Sequence, residues 1–134
     1  MIKVGIIGFS PQNGHPYSFS AIINGYNKSE FENSGWEVIL NYLEKNDKSK
    51  FGIEGVSITH AWSQDIKLTK QLCLSCKIKY PCEKIHEMIN EIDALIIARD
   101  DWSSHLEISH MFLKRGIPVF IDKPLTLNLT ELNA

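Results

Sequence analysis

The chain has 134 residues, a length that suits one domain with a sizeable core. Its 14 basic and 16 acidic residues leave a formal net charge of −2, which provides no field for general nucleic-acid binding or for attachment to an anionic membrane. No apolar run approaches the ~20 residues of a bilayer-spanning helix. The N-terminus lacks the charged region and long apolar stretch of a secretory signal, so a soluble cytoplasmic protein is expected.

Residues 3–9 read as a first strand that opens into the turn Gly8-Phe9-Ser10-Pro11-Gln12-Asn13-Gly14. Phe19, Ile22, Ile23 and Tyr26 then recur at i, i+3, i+4 and i+7, the stripe of a helix with one buried face. Residues 27–35 are polar and read as loop, after which Trp36, Ile39, Leu40 and Leu43 repeat the helical spacing. Residues 56–62 form the next strand. Asp65 can cap the helix that follows by accepting a hydrogen bond from a first-turn amide, and Leu68, Leu72 and Cys76 mark the inner face of that helix. Ile85, Met88, Ile89 and Ile92 indicate a further helix leading into an apolar strand at 94–98. A helix over 104–115 follows, with Ser104 and Glu107 at capping-box spacing and Gly116 as its stop, and a last strand covers 118–121.

Cys73, Cys76 and Cys82 make an odd count, which speaks against a disulfide framework. Together with His86 they could nominally supply the four ligands of a closed zinc site. The four-residue spacing of Leu68, Leu72 and Cys76 favours a helix face on which cysteine packs as a small hydrophobe, so no metal is expected.

Strands alternating with helices predict an α/β fold, a doubly wound and mainly parallel sheet covered on both faces. In such sheets ligands bind beyond the carboxyl ends of the strands, and the chemically capable residues fall there. The first turn is a modified G-x-G-x-x-G: Gly8 fits, Ser10 stands at the second glycine, and Gly14 arrives one residue late. Gly8, Phe9, Ser10, Asn13 and Gly14 are candidates to approach a pyrophosphate, with free amides and a positive dipole end behind them and the Ser10 hydroxyl as a further donor. The competing reading is a rigid proline-containing turn without a ligand. His15 either approaches a ligand or belongs to that turn.

At the end of the second strand no acid stands ready for an adenosine ribose and no arginine for a 2′-phosphate, so NAD and NADP stay open. Trp62 there either stacks on an adenine or is simply buried. After the 94–98 strand come Arg99, Asp100, Asp101 and His105. Arginine suits a phosphate or carboxylate and aspartate suits sugar hydroxyls; a solvated loop is the plainer alternative. At the end of the last strand, Lys123 stands between Asp122 and Pro124 with its flexible ammonium directed at the cleft.

Asp122-Lys123-Pro124 resembles the strand-Glu-Lys-Pro motif that follows the fifth strand in the N-terminal nucleotide-binding domain of the Gfo/Idh/MocA oxidoreductases, with Asp in place of Glu. Ala98-Arg99-Asp100-Asp101-Trp102-Ser103-Ser104-His105 resembles the family's strand-Ala-Thr-Pro-x-x-x-His pattern after the fourth strand, one residue longer and without the proline. The resemblance covers nearly the whole chain, with an insertion near residues 27–52. It implies a Rossmann-like domain over 1–134 that binds NAD or NADP, with Arg99, Asp100, Asp101 and His105 bordering the nicotinamide end of the cofactor. It implies Lys123 as the catalytic candidate, flanked by Asp122 and Pro124, and a cis Lys123–Pro124 bond. The implied substrate is a small molecule, a sugar or nucleotide sugar, with hydride transfer as the reaction. The family's second domain has no counterpart in these residues, so the expectation is a chain truncated after Ala134 and inactive alone, with self-association open through Leu125, Leu127, Leu129 and Leu132. The rival reading is a non-catalytic nucleotide-binding or protein-interaction module with a degenerate glycine loop.

Overall fold

A computed structural model describes residues 1–134. Five strands, β1 (Ile2–Ile7), β2 (Val56–Trp62), β3 (Tyr80–Cys82), β4 (Ala94–Ile97) and β5 (Val119–Ile121), lie in the order β3-β2-β1-β4-β5, and every neighbouring pair is parallel. This is the order of a Rossmann sheet, with its topological switch between β1 and β4.

Alternation along the central strands divides the core in two. Val4 and Ile6 of β1 join Ile58 and Ala61 of β2 on one face, under α1 (His15–Asn24) and α4 (Ile66–Ser75). Ile7, Leu95 and Ile97 point to the other face, under α5 (His105–Leu113) and a 3-10 turn at Ile85–Met88. Asn24 ties α1 to the sheet: its amide donates to the carbonyls of Ile58 (2.8 Å) and Cys76 (3.1 Å), and its oxygen accepts from Ile58 N–H (2.8 Å). Ile58 thereby spends its backbone groups on a side chain, and the β1–β2 register shifts at that point, from Val4 opposite Ile58 to Gly5 opposite His60.

The stretch 27–52 differs from the expected loop and helix. It holds a short helix, α2 (Lys28–Glu32), before α3 (Glu37–Glu44). Asn27 caps α2 by accepting from Glu30 N–H, and the helix is anchored by the fully buried Phe31, which packs edge-on against Tyr17 and Tyr26. One apolar residue in a polar run is too little signal for periodicity to register.

The expected helix through Ile92 reduces to the single 3-10 turn, because Asn90 takes a left-handed φ of 74° and breaks it. Strand β3 was not anticipated: it has three residues, with Pro81 at its centre, and lies at the sheet edge, the position where proline is tolerated. On α4 Leu72 and Cys76 are buried as expected, but Leu68 is exposed. Asp65 caps α4 as expected, with Oδ1 accepting from Lys67 N–H at 2.8 Å. Ser104 does not form the capping box; its hydroxyl donates instead to Asp101 O (3.1 Å). After β5 a short helix, α6 (Leu129–Leu132), leaves Leu125, Leu127, Leu129 and Leu132 exposed. No helix is long and apolar enough to cross a membrane.

Candidate functional site

Because all strands are parallel, the ends of β1, β4 and β5 open on the same edge of the sheet. The ladder continues past the strands, Ala98 N–H donating to Ile7 O (2.8 Å) and Asp122 N–H to Ile97 O (2.9 Å), so the three loops are held side by side. Gly8 lies where β1 meets the start of α1: a Cβ there would stand 2.7 Å from Pro16 Cγ, so the close approach requires glycine. Residues 10–13 form a β-turn closed by Asn13 N–H to Ser10 O (3.2 Å), with Pro11 and then Gln12 at a φ of 63°, the pattern of a type II turn.

The amides expected to be free at the N-terminus of α1 are taken. His15 N–H donates to Asn13 Oδ1 (2.9 Å), Pro16 has none, and Tyr17 and Ser18 N–H both donate to Gly14 O (3.0 and 3.1 Å). The amides of Ser10, Gln12 and Gly14, in the turn itself, donate to no protein group. The Ser10 hydroxyl, expected to be available, donates to the Asp100 carboxylate, while Asp100 N–H donates back to Ser10 Oγ (3.0 Å). This reciprocal pair links the β1 and β4 loops across the switch-point crevice.

A second link joins α1 to β5. Asp122 is buried; one carboxylate oxygen accepts from His15 Nδ1 and the other from Lys123 N–H (2.9 Å). Burial alone pushes the Asp122 carboxyl up, but the His15 ring, the Lys123 amide and the nearby Asn13 side chain outweigh it and hold the group below its ordinary value. His15 also stacks on Phe19, with ring centroids 5.0 Å apart. This pairing was not foreseen, since His15 and Asp122 lie 107 positions apart and only the closing of the sheet brings them together. Lys123 is exposed and its ammonium enters no ion pair; the Lys123–Pro124 bond is cis, as the resemblance implied.

In the β4 loop, Arg99 and Asp101 form a two-pronged pair, Nε to Oδ1 at 2.7 Å and Nη2 to Oδ2 at 2.8 Å. Burial would raise the Asp101 carboxyl, and Arg99 and Ser104 more than offset it, leaving it lowered. Both side chains are therefore committed to each other. His105 does not border the site directly. It is 1% exposed, and its two ring nitrogens face the carbonyls of Arg99 (2.7 Å) and Leu125 (3.1 Å), so it clamps the β4 loop to the segment after Pro124. A neutral ring can donate to only one of them.

Trp62 does not stand over the site either; it is half-buried against the second core cluster and its indole N–H donates to Glu83 O (3.2 Å). The tryptophan beside the loop is Trp36, at the start of α3, which together with Ile39 covers Gly14 so closely that a Cβ there would meet them at 2.3–2.8 Å. Gln64 holds the β1 loop to the end of β2, accepting from Phe9 N–H (3.0 Å) and donating to Phe9 O (2.8 Å). Between these elements lies a hollow of about 310 Å³. The three cysteines are buried and unpaired; burial pushes the Cys73 thiol up to about 12 and the Cys82 thiol up to about 11.

The fold has solved counterparts. Myo-inositol 2-dehydrogenase from Lactobacillus plantarum superposes with a TM-score of 0.64 at 19% identity, over 98% of this chain and 31% of its own. Scyllo-inositol dehydrogenase from Lactobacillus casei, solved with NAD(H) and scyllo-inositol bound, gives 0.64 at 18% identity over 99% and 31%. UDP-N-acetylglucosamine 3-dehydrogenase from Acidithiobacillus ferrooxidans gives 0.63 at 14% identity over 98% and 32%. At such identities the likeness establishes the fold, and the chain spans about a third of the length of these proteins. No protein of curated function matches the sequence. The family model of the oxidoreductases with an NAD-binding Rossmann fold, GFO_IDH_MocA, matches residues 2–134, and with the β3-β2-β1-β4-β5 sheet and the Asp122-Lys123-Pro124 end of β5 this places the chain in the Gfo/Idh/MocA family as its nucleotide-binding domain.

Proposed function

We propose that these residues form the cofactor-holding part of a nicotinamide-dependent oxidoreductase that acts on a polyhydroxylated substrate, a sugar, cyclitol or nucleotide sugar. The observation that carries this is the crevice at the β1/β4 switch point, flanked by Gly8 on one side and by an exposed, unpaired Lys123 at the end of β5 on the other. Such a crevice is where doubly wound sheets take dinucleotides.

The residues present fit the cofactor in two respects. Gly8 leaves the space that a Cβ would fill, and the turn amides of Ser10, Gln12 and Gly14 have no protein acceptor. Gly8, Ser10 and Gly14 would approach the pyrophosphate through backbone, and Lys123 would face the nicotinamide end. When bound, the cofactor accepts or donates the hydride. The chain's own contribution is positioning and charge. Asp122 holds the backbone of Lys123 through its carboxylate, and the Lys123 ammonium supplies a point charge and, in the reduction direction, a proton from Nζ to the substrate carbonyl oxygen; in oxidation the neutral amine would take the hydroxyl proton.

One arrangement favours the rival reading of a non-catalytic module: the Ser10–Asp100 pair puts a carboxylate across the crevice next to the turn where a pyrophosphate would lie. Calorimetric titration with NADH and NADPH separates the two. Binding in the micromolar to millimolar range, weakened in Lys123→Ala, supports the oxidoreductase reading. Absence of heat with both cofactors at millimolar concentration refutes it and leaves the module.

A further inference from the structure

The hollow between the β1 turn and the end of β2 is walled by Phe9, Ser10, Gln12, Gln64 and Leu68 and by Trp36, which the α2–α3 segment brings in. None of its nine lining residues carries a charge. We infer that this hollow takes the adenosine end of the cofactor, with the Trp36 indole against the base, and that it selects an unphosphorylated ribose, NAD rather than NADP. The inference rests on the oxidoreductase reading above and adds to it the specificity of one subsite and the residue that sets it.

Three observations support it. First, position: in a doubly wound sheet the ribose edge of the adenosine meets the end of the second strand, and Gln64 and Leu68 come from that end and from the first turn of α4. Second, size: about 310 Å³ lies at the low end of ligand pockets, ~300–1,000 Å³, and suits one nucleoside. Third, chemistry. Trp36 is half-buried, with its ring edge fixed over Gly14 and its ring 6.1 Å from that of Tyr17, so part of an aromatic surface faces the hollow in a set orientation. Aromatic faces bind bases by stacking, without need of charge.

No acid lines the hollow near the end of β2; Gln64 stands there, its amide engaged at both ends with the backbone of Phe9. No arginine or lysine lines the hollow; Lys67, on the first turn of α4, is exposed and outside it. A 2′-phosphate brought here would shed water and meet no cation in exchange, and that penalty falls on NADPH alone.

The test is equilibrium binding of NADH, NADPH, AMP and nicotinamide mononucleotide to the wild type and to Trp36→Ala, Trp36→Leu and Leu68→Arg, with melting temperature as the control for folding. The wild type should bind NADH at least tenfold more tightly than NADPH. Both Trp36 variants should lose roughly tenfold or more in affinity for NADH and AMP, while nicotinamide mononucleotide is unaffected. Trp36→Leu carries the test if Trp36→Ala fails to fold. Leu68→Arg, at an exposed position, should narrow the gap by tightening NADPH. Equal affinity of the wild type for NADH and NADPH, or unchanged NADH and AMP affinity in a folded Trp36 variant, overturns this assignment while leaving dinucleotide binding intact. Failure of the wild type to bind either dinucleotide overturns both readings.

Discussion

Asp122→Asn probes the link between the helix that follows the turn and the strand that carries Lys123. Asp122 is 6% exposed, and its carboxylate takes the His15 ring on one oxygen and the Lys123 N–H, at 2.9 Å, on the other. Asparagine keeps the shape and one acceptor. It removes the charge and turns an NH₂ group toward one of the two donors. A hydrogen bond to a charged group contributes ~1.5–3 kcal/mol. The His15 side counts for less, because that ring is 39% exposed and its share is screened by solvent. A net loss of about 2 kcal/mol follows. At ~2.1 cal/mol/K of unfolding entropy per residue, this amounts to a fall in Tm of roughly 7 °C.

The pH dependence has a definite sign. The folded carboxyl is held below its ordinary value, so its contribution is fully present above the unfolded pKa of ~3.9 and is lost as pH falls through the folded one. Thermal unfolding followed by circular dichroism at pH 7, 5 and 3 checks both parts. The gap between wild type and variant should be open at pH 7 and 5 and narrower at pH 3. Equal Tm values at pH 5 would refute the assignment of a stabilising role to the pair. A gap undiminished at pH 3 would show that the charge is not its source.

Lys123→Ala should leave stability within about ±0.5 kcal/mol, since the side chain is exposed and unpaired, yet cost ~1.5–3 kcal/mol of NADH affinity; paired melting and calorimetry on one preparation decide this. In Gly8→Ala the new methyl would stand 2.7 Å from a proline ring that cannot rotate away, so urea unfolding should show ~1–3 kcal/mol of destabilisation. The residues described here should bind cofactor without turning over inositols or sugars, and steady-state NADH production from them alone would contradict that. With Leu127 and Leu129 at 72% and 78% exposure, the chain should associate at high concentration, and Leu127→Glu should reduce the association seen by light scattering.

The α/β class and four of the five strands were legible in the sequence because they depend on local periodicity; the stripe expected on α1 was not, since Phe19 and Ile23 are only half-buried, Ile22 is exposed, and the face that the helix buries is Tyr17, Ser20 and Ala21. Residues 56–62 read as a strand and formed one; Asp65 read as a cap and formed one. The Asp122-Lys123-Pro124 end of β5 could be found because its motif is contiguous. What failed locally failed for local reasons. Strand β3 is three residues around a proline, α2 is a five-residue helix with one buried side chain, and the run through Ile92 was apolar enough for a helix but broken by a left-handed Asn90.

The composition of the site was a different matter. Sequence could name Gly8, Ser10, Asp100, His105, Asp122 and Lys123, because residue types and their position after strands are one-dimensional facts. It could not say which polar groups would be used up by one another. Ser10 meets Asp100 across 90 positions and His15 meets Asp122 across 107, while Gln64 reaches back 55 to Phe9. Nor could it choose between two tryptophans: Trp62 stood in the expected place but lies half-buried against the second core cluster, and Trp36 was delivered to the loop by the α2–α3 segment. Periodicity and turn chemistry are properties of neighbours in the chain, and they determined the sheet and the edge on which ligands are met. Which donors and acceptors remain free on that edge depends on contacts between loops that only the parallel closure of β1, β4 and β5 brings within hydrogen-bonding distance.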